Sequence, residues 1–222
     1  MKTENIIAVE IPPVGLFGDL VIPLGATSLV VFAHGSGSSR HSSRNRFVAE
    51  VLQQGGLATL LMDLLTRAEE QVDNRTAHLR FDIPLLAGRL VNATDWLLRN
   101  PETSALRQGY FGASTGAAAA LVAAAERQDA IGAVVSRGGR PDLAGPALAR
   151  VMAPTLLIVG SRDEQVIELN QNAQARLRNQ NRLEIVPGAT HLFEEPGTLE
   201  KVAELALAWF ARHLGVASGR TT

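Results

Sequence analysis

Gly112-Ala113-Ser114-Thr115-Gly116 stands between an apolar run, Gly109 to Gly112, and an alanine-rich helical pattern, Ala117 to Ala125. This is a G-x-S-x-G string in a strand, turn, helix setting, and the setting decides how it is read. A serine on so sharp a turn is thrust clear of the backbone. Small flanking residues keep the neighbouring main chain from clashing, and the helix N-terminus beneath favours developing negative charge. A strand that feeds a helix in this way belongs to a mostly parallel sheet, whose crossovers need helices to carry the chain back.

Outward from the motif the same rhythm repeats. Leu29 to Ala33, Ala58 to Met62, Ile131 to Ser136, Thr155 to Val159 and Arg182 to Val186 are apolar nearly throughout, as strands covered on both faces are. Between them, Phe47, Val48, Val51 and Leu52 form one helical stripe, which Gly55 and Gly56 close. Leu86, Leu90, Ala93 and Leu97 form another, with Pro84 interrupting its start. A last one carries Val202, Leu205, Ala206, Trp209 and Phe210, a core-packing face. Ile6 to Ile11 and Leu16 to Ile22 are linked only by Pro12, Pro13, Val14 and Gly15, too short for a parallel crossover, so they read as an antiparallel hairpin at the sheet edge. The expected fold class is α/β: a mostly parallel central sheet with that hairpin at its N-terminus and helices on both faces. Few residues separate Ser136 from Thr155, leaving little room for a lid domain there and implying an open site. A single domain over 1–222 is expected, with 216–222 as a dispensable tail.

Composition narrows the function classes. The 222 residues are 46% apolar and 19% charged with a net charge of -1, so no general attraction to nucleic acid or acidic membranes follows. The absence of cysteine excludes disulfides, thiolate metal sites and a cysteine nucleophile. No run approaches a membrane span, and the first residues lack the apolar core of a secretory signal. A cytoplasmic setting is the expectation. No histidines or carboxylates show metal-ligand spacing, so neither a metal nor another cofactor is expected.

A serine hydroxyl needs a base to take its proton. Of five histidines, His191 follows the strand Arg182 to Val186 through Pro187, Gly188, Ala189 and Thr190, at the same sheet edge as Ser114. His34, His41, His78 and His213 read as structural or solvated, with His34 bracing its own loop. Glu194-Glu195 reads as a solvated helix start. The acid that orients the imidazole is expected after Thr155 to Val159, where Asp163 follows Gly160, Ser161 and Arg162, with Asp142 as the alternative. The order Ser114, Asp163, His191 is a nucleophile, acid, base order. A tetrahedral intermediate needs two N–H donors. Thr115 supplies one, and Ser36, with Gly35 and Gly37 as alternatives, supplies the other. Arg137-Gly138-Gly139-Arg140 follows a central strand at the same edge and suggests that Arg137 and Arg140 bind an anionic part of a small ester substrate. Gly35-Ser36-Gly37-Ser38-Ser39-Arg40 is a faint match to a dinucleotide loop, but it lacks a third glycine and leaves Ser114 and His191 without a role.

With these residues in place, the chain resembles the dienelactone hydrolase family of α/β-hydrolases, from about Leu29 to Leu214. The resemblance rests on Gly112-Ala113-Ser114-Thr115-Gly116, on Asp163 within Gly160-Ser161-Arg162-Asp163-Glu164, and on His191 within Pro187-Gly188-Ala189-Thr190-His191. It implies the α/β-hydrolase fold without a lid and cleavage of cyclic or simple esters without a metal. Hydrolase domains found fused to phosphoribosyltransferases look most similar. Dienelactone hydrolase proper has cysteine where this chain has Ser114, which bears on the dienelactone as substrate and leaves ester hydrolysis standing. No motif aligns that family's carboxylate-binding arginines. The competing reading is a non-catalytic binding domain on the same scaffold.

Overall fold

In the computed structural model, which describes residues 5–216, the apolar runs become the strands of one sheet. They are β1 (Ile7–Ile11), β2 (Leu16–Val21), β3 (Ser28–Ala33), β4 (Ala58–Met62), β5 (Arg107–Ala113), β6 (Ile131–Arg137), β7 (Thr155–Gly160) and β8 (Asn181–Val186). Their order is β1-β2-β4-β3-β5-β6-β7-β8. β1 with β2 and β2 with β4 are antiparallel, and every pair from β4 to β8 is parallel. Parallel pairing puts the C-terminal ends of β3, β5, β6, β7 and β8 on one edge. That edge is where the loops carrying Ser36, Ser114, Arg137, Asp163 and His191 begin.

Among the described residues six α-helices cover the sheet: α1 (Ser43–Gln54), α2 (Arg67–Thr76), α3 (Ile83–Arg99), α4 (Thr115–Glu126), α5 (Glu164–Gln174) and α6 (Thr198–Leu214). Strand side chains alternate between the two faces. Val30, Phe32, Phe111, Val135 and Ile158 pack against α1 and α6. Leu29, Val31, Tyr110, Val134 and Leu157 pack against α3 and α4. Ala117, Ala118, Ala119 and Ala120 of α4 are wholly buried; their short side chains let the helix lie close to the sheet.

Several local expectations change. Pro84 sits in the first turn of α3 behind the N-cap Asp82, whose side chain accepts the Leu85 N–H. It opens the helix, because the first turn needs no N–H from it. β8 is an edge strand with mostly exposed or half-buried residues rather than a doubly covered one. The segment after β6 holds only a kinked 3-10 stretch, Pro141–Arg150. Most of the expected tail, 217–222, lies outside the described residues. Among the described residues no helix is long and apolar enough to cross a membrane.

Candidate active site

Ser114 sits between β5 and α4 with φ 50° and ψ -120°, a left-handed backbone that costs a side-chain-bearing residue about 1–3 kcal/mol. The surroundings hold it there. Its N–H donates to the Arg137 carbonyl at 3.2 Å and its carbonyl accepts the Arg140 N–H at 3.1 Å. Both glycines of the motif are required by space. A Cβ on Gly116 would run into the carbonyl oxygens of Ala33 and His34, and one on Gly112 into the backbone of Ala117.

Asp163 stands at the N-cap position of α5 but makes no capping bond. Its Oδ2 instead lies 2.6 Å from His191 Nδ1. A carboxylate only accepts, so Nδ1 carries the proton and Nε2 of the neutral ring keeps a lone pair. The two loops are stitched together: Arg162 N–H donates to the Ala189 carbonyl at 2.9 Å, and Gly188 N–H to Ser161 Oγ at 2.8 Å. Glu195, read from sequence as a solvated helix start, takes the Thr190 N–H at 3.0 Å. That bond holds its carboxyl below the ordinary range. Gly138 connects the histidine to the serine turn. A Cβ there would lie 3.6 Å from His191 Cε1, and the preceding residue, Arg137, is the one whose carbonyl binds Ser114.

The loop after β3 forms the other wall. Buried His34 bridges it, with Nδ1–H donating to the Gly35 carbonyl at 2.9 Å and Nε2 accepting the Leu64 N–H at 3.1 Å. Burial pushes the His34 pKa down and keeps the ring neutral. Gly35 passes close to the Ser114 turn, since a Cβ on it would lie 3.2 Å from Ser114 Cβ. At the far end, Arg40 is bound through its N–H to Asp63 Oδ1 at 2.9 Å and through its guanidinium to Asp63 Oδ2. Among the described residues neither the Ser36 nor the Thr115 N–H donates to another protein group, so both are free for a ligand oxygen.

A cavity of about 440 Å³ opens beside this loop, lined among others by Ser36, Ser39, Leu65, Asp73, Arg80 and Thr115. Its outer wall is α2 and the turn Leu79–Phe81, neither of which the sequence reading placed. Asp73 takes the Arg80 N–H at 3.0 Å and Nε at 2.6 Å. Arg80 Nη1 then lies 3.4 Å from where a Gly37 Cβ would be, at the cavity. The signal for α2 was present as Thr66-Arg67-Ala68-Glu69, a capping box formed in the structure.

The arginines singled out from sequence lie elsewhere. Arg140 grips Asp142 through Nε at 2.9 Å and Nη2 at 2.8 Å, so the alternative acid faces an arginine. Arg137 is buried on the α1 side, with Nη2 3.5 Å from Asn45 Oδ1. Neither is part of the cavity lining.

A sequence model of the dienelactone hydrolase family matches residues 20–214. Two curated relatives named putative phosphoribosyl transferase, from Mycobacterium tuberculosis strains CDC 1551 / Oshkosh and H37Rv, are 62% identical over 202 residues. Those residues are 91% of this chain, which spans 45% of the length of these relatives. The crystal structure of a dienelactone hydrolase from Anabaena variabilis is 64% identical, with TM-score 0.92 over 96% of this chain and 98% of that one. An esterase of Pyrococcus furiosus shares the fold at 21% identity, with TM-score 0.78 over 96% and 94%. The strand order, the strained serine turn and these matches agree: the fold is the α/β-hydrolase fold, and the chain belongs to the dienelactone hydrolase family.

Proposed function

We propose that this chain is a serine esterase that cleaves a small soluble ester or lactone through an acyl-enzyme. The observation that carries the reading is the 2.6 Å His191–Asp163 bond at the sheet edge where Ser114 is held at φ 50°. Asp163 fixes the tautomer whose Nε2 accepts the Ser114 hydroxyl proton. Ser114 Oγ adds to the ester carbonyl, and the resulting oxyanion takes hydrogen bonds from the N–H groups of Thr115 and Ser36. The tetrahedral intermediate then collapses. The C–O bond to the leaving alcohol breaks as His191 returns the proton to that oxygen, leaving Ser114 acylated. Water, deprotonated by His191, repeats the sequence and releases the carboxylic acid.

The substrate occupies the cavity between the β3 loop and α2. An anionic substituent, expected from sequence at Arg137 and Arg140, would meet Arg80 instead, whose Nη1 borders that space. Ser114→Ala tests the reading: kcat on an activated phenyl ester should fall by on the order of 10³ or more in a folded protein. A folded variant with near-normal turnover overturns it.

A further inference from the structure

The end of β6 buries a positive charge that no described group balances. Arg137 is 7% exposed, and its Nε and Nη1 are sealed from solvent without a hydrogen-bond partner among the described residues. Nη2 reaches only Asn45 Oδ1, at 3.5 Å, the outer limit of a hydrogen bond. Its guanidinium carbon lies 6.0 Å from the centre of the Phe193 ring, a weak attraction at that range. Burial first, and Arg44 second, push the Arg137 pKa down to about 10, which still leaves it charged at neutral pH. Arg44 turns Nη1 outward to Glu194 at 3.1 Å, while its own Nε is buried and unpartnered.

Two guanidinium groups, with three orphaned donor nitrogens between them, therefore lie near the first turn of α1, where the backbone N–H groups add partial positive charge. A charge held out of water without a partner is strongly unfavourable. Donor nitrogens of like charge held this way are complemented by a small negative group. Arg137 lies outside the lining of the cavity beside Ser36 and Thr115, and Phe193 packs beside it, so a free ion fits better than part of a substrate.

We propose that Arg137 and Arg44, beside Asn45, enclose a binding site for a small monovalent inorganic anion of chloride size, between the first turn of α1 and the loop at Phe193. The ion would tie that loop to α1 two residues beyond His191. The site is independent of the esterase reading, and its test uses no turnover in its main arms.

Crystals of the whole chain grown in sodium bromide should show an anomalous peak within hydrogen-bond reach of Arg137 Nε or Nη1. In solution, at fixed ionic strength and pH, replacing methanesulfonate by chloride should raise Tm saturably. Arg137→Met should abolish that rise. Arg44→Met, in a side chain 33% exposed and so safer for folding, should weaken the half-saturation by on the order of tenfold. A bromide map without that peak overturns the proposal, as does an identical chloride response in wild type and Arg44→Met. If Arg44→Met instead lowers selectivity for a carboxylate-bearing ester with no chloride effect on Tm, the charge serves substrate and the free-ion site falls.

Discussion

His191 Nδ1 and Asp163 Oδ2 meet at 2.6 Å from loops that leave different strands, while Asp142, the other carboxylate near this edge, is engaged by both Nε and Nη2 of Arg140. The two acids therefore separate cleanly in a mutational comparison. Asp163→Asn should lower kcat on an activated ester by several orders of magnitude, because the amide favours the wrong imidazole tautomer. Asp142→Asn should leave kcat within a few-fold of wild type. The reverse ranking would move the acid to Asp142.

Arg80 should control selectivity rather than the chemical step. Its planar fork is aimed by Asp73, so Arg80→Met should raise KM for a carboxylate-bearing ester while sparing the neutral analogue. The lost discrimination should be about 1.5–3 kcal/mol, and high salt should erode it in wild type. Equal kcat/KM ratios in the two proteins would leave Arg80 as part of the wall only.

Gly116 and Gly88 should respond to alanine with opposite signs. A Cβ on Gly116 meets two backbone carbonyls, which cannot swing aside, so Gly116→Ala should destabilise by about 1–3 kcal/mol or more. Gly88, inside α3, has nothing within 4 Å of its Cβ position, and Gly88→Ala should stabilise by roughly 0.5–1 kcal/mol through backbone entropy. Urea unfolding of both variants measures this. An unchanged midpoint for Gly116→Ala would mean that the β3 loop is not packed on the serine turn.

Burial lowers the His34 pKa, so the folded protein keeps this ring neutral where the unfolded chain binds a proton. Stability from this group is complete above the unfolded value of about 6.5 and is lost as pH falls from there through the lowered folded value. The slope approaches 1.4 kcal/mol per pH unit at most, by the order-of-magnitude linkage relation. His213, lowered by burial and by Arg212, acts with the same sign. The His34 share is therefore read as the difference between wild type and His34→Gln in unfolding free energy from pH 7.5 to 5. Parallel pH curves for the two proteins would contradict it.

That the loops bearing Ser114, Asp163 and His191 share one edge was legible, because β5, β7 and β8 run parallel and end on the same side of the sheet. The Ser114 turn was legible because the spacing of Gly112 and Gly116 leaves few other conformations. Arg80 and Asp73 were not. α2 has no apolar stripe, and Asp73 is its only buried residue, so hydrophobic periodicity has nothing to detect there. Arg137 stands at the expected edge, but which way it turns was not legible: alternation along β6 turns it the same way as Val135, toward α1. Arg182 and Glu184, a charged pair within β8, were the overlooked sign that this strand lies at the edge.

The most direct test of Ser114 as an activated nucleophile is labelling by a fluorophosphonate, which needs no knowledge of the substrate. One adduct per chain is expected, mapped by peptide mass spectrometry to Ser114, with esterase turnover falling in step and labelling slowed in Asp163→Asn. Folded protein that takes up no probe, or that carries it elsewhere with Ser114 unmodified, would rule out Ser114 as the nucleophile.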